Sequence, residues 1–190
     1  MKKLLLLAGL FFVCLVAQAQ PHIGIGAGVS DIASPYPKTG AKFACTVDAG
    51  YRFALPANFV FDPMLQLSFH GKSSYGILYG KVPLIVSYLA KSIEIGAGPY
   101  VAFGFWDQKN EPRYYDAPDS SVPIDPWAES AFGYFRKFDT GISARVLYHF
   151  SGFFCGVEGS YGLLDVARKD LSKSFSAHTM SLNIVFGRLF

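Results

Sequence analysis

Two apolar runs, residues 75–89 and 92–106, follow one another with only Ala90 and Lys91 between them. No helix fits in that gap, so the runs must fold back on each other as a hairpin. In the second run Ile93, Ile95, Ala97, Pro99, Val101, Phe103 and Phe105 alternate with Ser92, Glu94, Gly96, Gly98, Tyr100, Ala102 and Gly104. A period of two separates the faces of a strand; a helix would repeat every three to four residues. Strands of soluble domains usually run about five or six residues. A strand crossing a tilted outer-membrane barrel wall needs roughly 9–11 residues in the bilayer alone. The hairpin therefore predicts a transmembrane barrel, its apolar face toward lipid and its glycine, glutamate and tyrosine face toward a packed interior.

The chain starts in keeping with that. Met1-Lys2-Lys3, the apolar run 4–17 and Ala17-Gln18-Ala19 have the basic, apolar and small-x-small parts of a secretory signal. The apolar run is too short for a spanning helix of about 20 residues. Cleavage is expected after Ala19, with 1–19 a signal peptide and 20–190 one barrel domain. The formal charge of +3 includes Lys2 and Lys3. No basic run or basic-aromatic interleaving follows, so no nucleic-acid partner is expected.

Alternating runs in the mature chain number eight: 22–29, 42–53, 59–70, 75–89, 92–106, 135–150, 153–164 and 175–190. The expected fold is all-β, an eight-stranded antiparallel transmembrane up-and-down β-barrel. An even number of antiparallel strands closes on itself and leaves no edge of unpaired backbone groups in lipid. The links 54–58, 90–91 and 151–152 are short, whereas 30–41, 107–134 and 165–174 are long; 71–74 alone is short on the long side. Short turns belong in the periplasm and long loops outside, which puts both termini in the periplasm.

Alternation also assigns the faces. Phe43, Cys45, Val47, Ala49 and Tyr51 oppose Thr46, Asp48, Gly50 and Arg52; Phe59, Phe61, Leu65 and Leu67 oppose Asp62, Met64, Gln66 and Ser68. Continued around the barrel, this collects Asp48, Arg52, Asp62, Lys81, Glu94, Asp139, Arg145 and Glu158 inside as a lumen polar network. A one-residue slip would carry these charges into lipid, at roughly 2–4 kcal/mol for a mid-bilayer Arg or Lys. Eight strands enclose a space just wide enough for side chains to fill. The charges are thus expected to pair with one another and with the Tyr79 and Tyr100 hydroxyls, Lys81 with neighbouring carboxylates.

Patterns for chemistry are weak. Gly24, Gly26 and Gly28 lie on one strand face with no helix after them, unlike a dinucleotide fingerprint. His22, His70, His149 and His178 lack metal-ligand spacing. His178 precedes Met180 where a strand-borne His-x-Ser pair would need its nucleophile. Cys45 and Cys155 alternate with outward residues on strands about 14 Å apart, three spacings around the wall, too far for a disulfide. No enzyme, cofactor or metal is expected.

The ordered segments HIGIGAGVS, FDPMLQLSFHGKS, YGKVPLIVSY, IEIGAGPYVAFGF, FDTGISARVLYHF, VEGSYGLLDV and MSLNIVFGRLF resemble the PorT-like family of outer-membrane β-barrel proteins from Bacteroidetes-type bacteria. They cover nearly all of the mature chain except most of 107–134. Two positions depart: Lys81 stands where the family usually has an acidic residue, and Arg188 where an aromatic is usual. Because family members include a component associated with type IX secretion, the resemblance implies a binding or scaffold component accessory to secretion or surface assembly. Its expected surroundings are outer-membrane lipid, the barrel assembly machinery and a secretion-complex protein partner. A small passive pore and an outer-leaflet lipid-modifying enzyme are the alternatives.

The extracellular loop 107–134 is where a partner would bind. It holds four prolines and more carboxylates than cations, with Asp116, Asp119, Asp125 and Glu129 beside Tyr114, Tyr115 and Trp127. Loops this long inside compact domains are usually functional or disordered. A mobile acidic loop that merely keeps the surface soluble is the other reading.

Overall fold

A computed structural model describes residues 19–33, 42–72, 75–107, 136–166 and 177–190. Residues 1–18 of the expected signal peptide and the loop residues Tyr114, Tyr115, Asp116, Asp119, Asp125, Trp127 and Glu129 lie outside them. The elements are β1 (Gln20–Ala33), β2 (Lys42–Ala54), β3 (Phe59–Lys72), β4 (Tyr75–Ala90), β5 (Ile93–Asp107), β6 (Phe138–Phe150), β7 (Phe153–Gly162) and β8 (His178–Leu189). Each pairs antiparallel with its sequence neighbours, and β1 pairs with β8 to close the barrel. The protein is an eight-stranded antiparallel transmembrane up-and-down barrel.

Its outer wall explains the membrane assignment. Ile25, Val47, Leu65, Ile95, Val101, Phe103, Val146, Leu182 and Ile184 all stand exposed, while Asp48, Glu94 and Arg145 are buried. That is a soluble protein turned inside out, and an apolar belt around a polar interior is what lipid demands of a closed sheet. The hairpin β4–β5 forms as its alternation requires, from Ile77 opposite Asp107 to Ala90 opposite Ile93, with one register shift at Leu78/Tyr79.

Several strand ends differ from the alternation: β1 runs Gln20–Ala33 rather than 22–29, β3 runs on to Lys72, and β8 begins at His178 rather than 175. β6 begins at Phe138 rather than 135, because Arg136 N–H turns to Val166 O and Gly104 N–H takes Lys137 O. β7 stops at Gly162 rather than 164, because the Leu163 and Leu164 N–H groups both turn to Thr140 O. At the opposite end Ser151 and Gly152 both have positive φ, 48° and 80°. A two-residue turn with both centres left-handed matches the twist of its strands, and glycine makes the second position easy.

The inner face is not uniformly polar. Leu147, Phe154 and Val185 form a buried apolar cluster at the end carrying the short turns, with Leu189 packed against it. Met64, Ile77 and Ile85 are also buried. A narrow interior gains by filling space with apolar side chains wherever polar partners run out.

Candidate functional site

Interior side chains are spaced by the small residues opposite them. Gly24, Gly26 and Gly28 share the inner face of β1. A Cβ on Gly24 would stand 2.7 Å from Asp48 Oδ1, and one on Gly28 would collide with the Leu182 carbonyl oxygen. The Gly-x-Gly-x-Gly spacing thus makes room for side chains of β2 and β8. It serves packing, not phosphate binding.

All eight charged residues assigned to the lumen are buried there. The hub is Glu94 on β5, which is fully buried. Arg145 on β6 donates to Glu94 Oε1 from Nε at 3.1 Å and Nη2 at 2.7 Å, and from Nη2 to Asp62 Oδ2 at 2.5 Å. Arg52 on β2 pairs with Glu94 Oε2, and His149 Nε2 donates to the same oxygen at 2.8 Å. His22 lies 3.7 Å from both Asp48 and Asp62. Its ring and that of His149 pack against Phe154, with centroids 6.0 and 6.1 Å apart. The Arg52–Glu94 contact joins β2 to β5, and Arg145–Asp62 joins β6 to β3, so both reach across the barrel.

Nearer the long connections the interior is organised differently. Tyr100 Oη donates to Asp139 Oδ2 at 2.9 Å, and Thr179 Oγ1 donates to the same oxygen at 2.5 Å. Lys81 departs from expectation. Its ammonium lies 4.2 Å from the Tyr100 ring centroid, and among the described residues no carboxylate pairs with it directly. The quadrupole of the ring holds the cation instead, with Glu158 and Asp139 attracting it at longer range. Glu158 forms no ion pair among the described residues and accepts from Gln66 Nε2 at 2.9 Å. The Tyr79 hydroxyl, expected to bond a lumen charge, has no partner among the described residues.

Several further interior residues belong to the network. His22 and His149 join the carboxylate network; Gln66 and Thr179 supply neutral bonds to it. The alternation placed Gln66 and His149 inside, but nothing in spacing alone indicates which distant strand each one meets. Ser68 and His70, two apart on β3, are hydrogen-bonded, Oγ to Nε2, at 2.7 Å. That is a nucleophile–base distance, with Ser68 only 1% exposed. His178 stacks on Tyr161 at 5.8 Å, with Nδ1 3.1 Å from Gly162 O, as part of the wall. Cys45 and Cys155 are both free thiols. Among the described residues no group of three or more His, Cys, Asp or Glu side chains is placed to hold a metal ion.

No family model matches the chain, and no curated protein does. Solved structures do. The chain is similar to the Neisserial surface protein A (NspA), with a TM-score of 0.58 and 11% identity over 90% of this chain and 99% of that one. Ail, the attachment invasion locus protein of Yersinia pestis, has a TM-score of 0.45 at 10% identity, covering 90% and 99%. The outer membrane protein AlkL has 0.40 at 11%, covering 90% of each. The likeness to NspA is one of fold: a small closed antiparallel barrel.

Proposed function

We propose that this chain is an outer-membrane barrel of the PorT-like kind, acting as a non-enzymatic binding or scaffold component accessory to protein secretion or surface assembly. The observation that carries the reading is the crossed ion-pair network. Arg145 to Asp62 and Arg52 to Glu94 span the lumen, and Phe154, Leu147 and Val185 pack beneath them. Side chains that cross and fill the interior in this way support a reading in which the barrel acts where it meets other molecules. Its termini and short turns face the periplasm and its long connections face outward, the arrangement usual for bacterial barrels.

The connection 107–134 is the partner site in this reading, through Tyr114, Tyr115 and Trp127 among the carboxylates Asp116, Asp119, Asp125 and Glu129. The test replaces residues 109–132 with a short Gly/Ser link. The barrel should still insert and show heat-modifiable mobility, because β5 and β6 pair through Ile93–Phe103 and Phe138–Tyr148. Proteins that co-purify with the unmodified barrel from native membranes should be lost. Retention of the same partners would move the site elsewhere. Stepwise conductance of the purified barrel in planar bilayers would replace the scaffold reading with a pore.

A further inference from the structure

Beside Lys81 the lumen holds a cavity of about 10 Å³, lined by His70, Tyr79, Lys81, Tyr100, Asp139 and Thr179 among others. That is about the room one water molecule requires, provided two to four polar partners face it. The partners are present. Tyr79 Oη, His70 Nδ1 and Asp139 Oδ1 are buried with no hydrogen-bond partner among the described residues. Lys81, only 3% exposed, supplies three N–H donors and rests on the Tyr100 ring rather than on a carboxylate.

The chemistry of the lining selects the occupant. Lys81 and Asp139 together are neutral, so a halide would meet the carboxylate and a metal cation would meet the ammonium. An occupant that suits both must be neutral, accept from Nζ and donate to Oδ1 at once. Other polar atoms of Asp139 and His70 are already committed: Oδ2 takes Tyr100 and Thr179, and His70 Nε2 is held by Ser68. What remains free on each is the atom named above. We propose that this cavity is a one-water site, whose water accepts from Lys81 Nζ, donates to Asp139 Oδ1 and bonds Tyr79 or His70 with its remaining capacity.

The site is independent of what the barrel binds outside. It converts the expected direct Lys81–carboxylate pair into a solvent-bridged one. Through that water β4 and β6 join β5 and β8, which reach Asp139 directly. Four of the eight strands are then tied together at one level, with β3 a fifth where His70 takes the remaining bond.

A high-resolution crystal structure of the mature, detergent-solubilised barrel tests this. The expected result is a single peak within about 2.7–3.2 Å of both Lys81 Nζ and Asp139 Oδ1. Lys81 Nζ seated directly on Asp139 with no density between them would overturn the proposal. So would an anomalous peak at the site after bromide exchange, which would assign it to a halide. A second measurement needs no crystal. In micelles, magnetisation should pass from a long-lived bound water to the Tyr79 and His70 side-chain protons, and its absence would count equally against the site. Ala102→Val adds two methyl groups to the cavity lining and should abolish both signals in a barrel that still migrates as folded; signals that survive would place the water elsewhere.

Discussion

Glu94 and Lys81 are both buried charges, but their surroundings predict different costs of removal. Glu94 takes bonds from Arg145, Arg52 and His149. Glu94→Ala leaves two buried guanidiniums short of a carboxylate, a loss on the order of 3–5 kcal/mol. The urea midpoint of the folded band on unheated gels should fall accordingly, and a midpoint unchanged from the parent would deny Glu94 its central place. Lys81→Met should cost less, about 1–2 kcal/mol. It removes one cation–π contact and the donor to the bridging water, while Asp139 keeps Tyr100 and Thr179. A Lys81→Met barrel weakened as much as Glu94→Ala would argue for a direct ion pair after all. Neither change should open a channel, since Phe154, Leu147 and Val185 stay in place.

Strands bring a different sensitivity, because their two faces see different solvents. On β1 the inward Gly28 abuts the Leu182 carbonyl, a backbone atom that cannot give way. Its neighbour Ala27 faces outward, opposite Cys45 on β2 and Ile184 on β8. Gly28→Val should abolish the folded, heat-modifiable band, and Ala27→Val should leave it intact. Equal tolerance at the two positions would put β1 one residue out of register. The closing strand β8 has the same asymmetry. Met180, Leu182, Ile184 and Phe186 face outward, and Phe190 follows, its N–H donated to Pro21 O. Deletion of Phe190 should lower the yield of barrel in outer-membrane fractions sharply; a normal yield would show that the end of this strand carries no assembly signal.

For the whole molecule, the hydrogen-bonded ring of eight strands and the cross-lumen contacts make one cooperative unit. No strand can leave without exposing two unpaired edges to lipid, which the bilayer cannot satisfy. Unfolding by urea should therefore proceed in a single transition, with near-ultraviolet circular dichroism from the wall aromatics and far-ultraviolet signal from the sheet lost together. Separate midpoints would mean that part of the wall detaches on its own. The same closure makes the connections the natural place for change. Sequence added or removed between β5 and β6 leaves the ladder from Ile93 to Phe103 intact.

Strand number, strand facing and the burial of every lumen charge were legible in the sequence by itself. The physical reason is local. A two-residue period reports which side each residue takes, and lipid on one side forbids the opposite choice. What only the tertiary structure decided was who meets whom inside. Arg145 reaches Asp62, 83 residues away in sequence, and Arg52 reaches Glu94 across 42, pairings set by barrel closure and shear, which leave no trace in local spacing. For the same reason Lys81 could be placed inside yet not assigned to Tyr100. The seal of Leu147, Phe154 and Val185 likewise draws one residue from each of three strands, β6, β7 and β8, and no single strand's pattern shows that they converge.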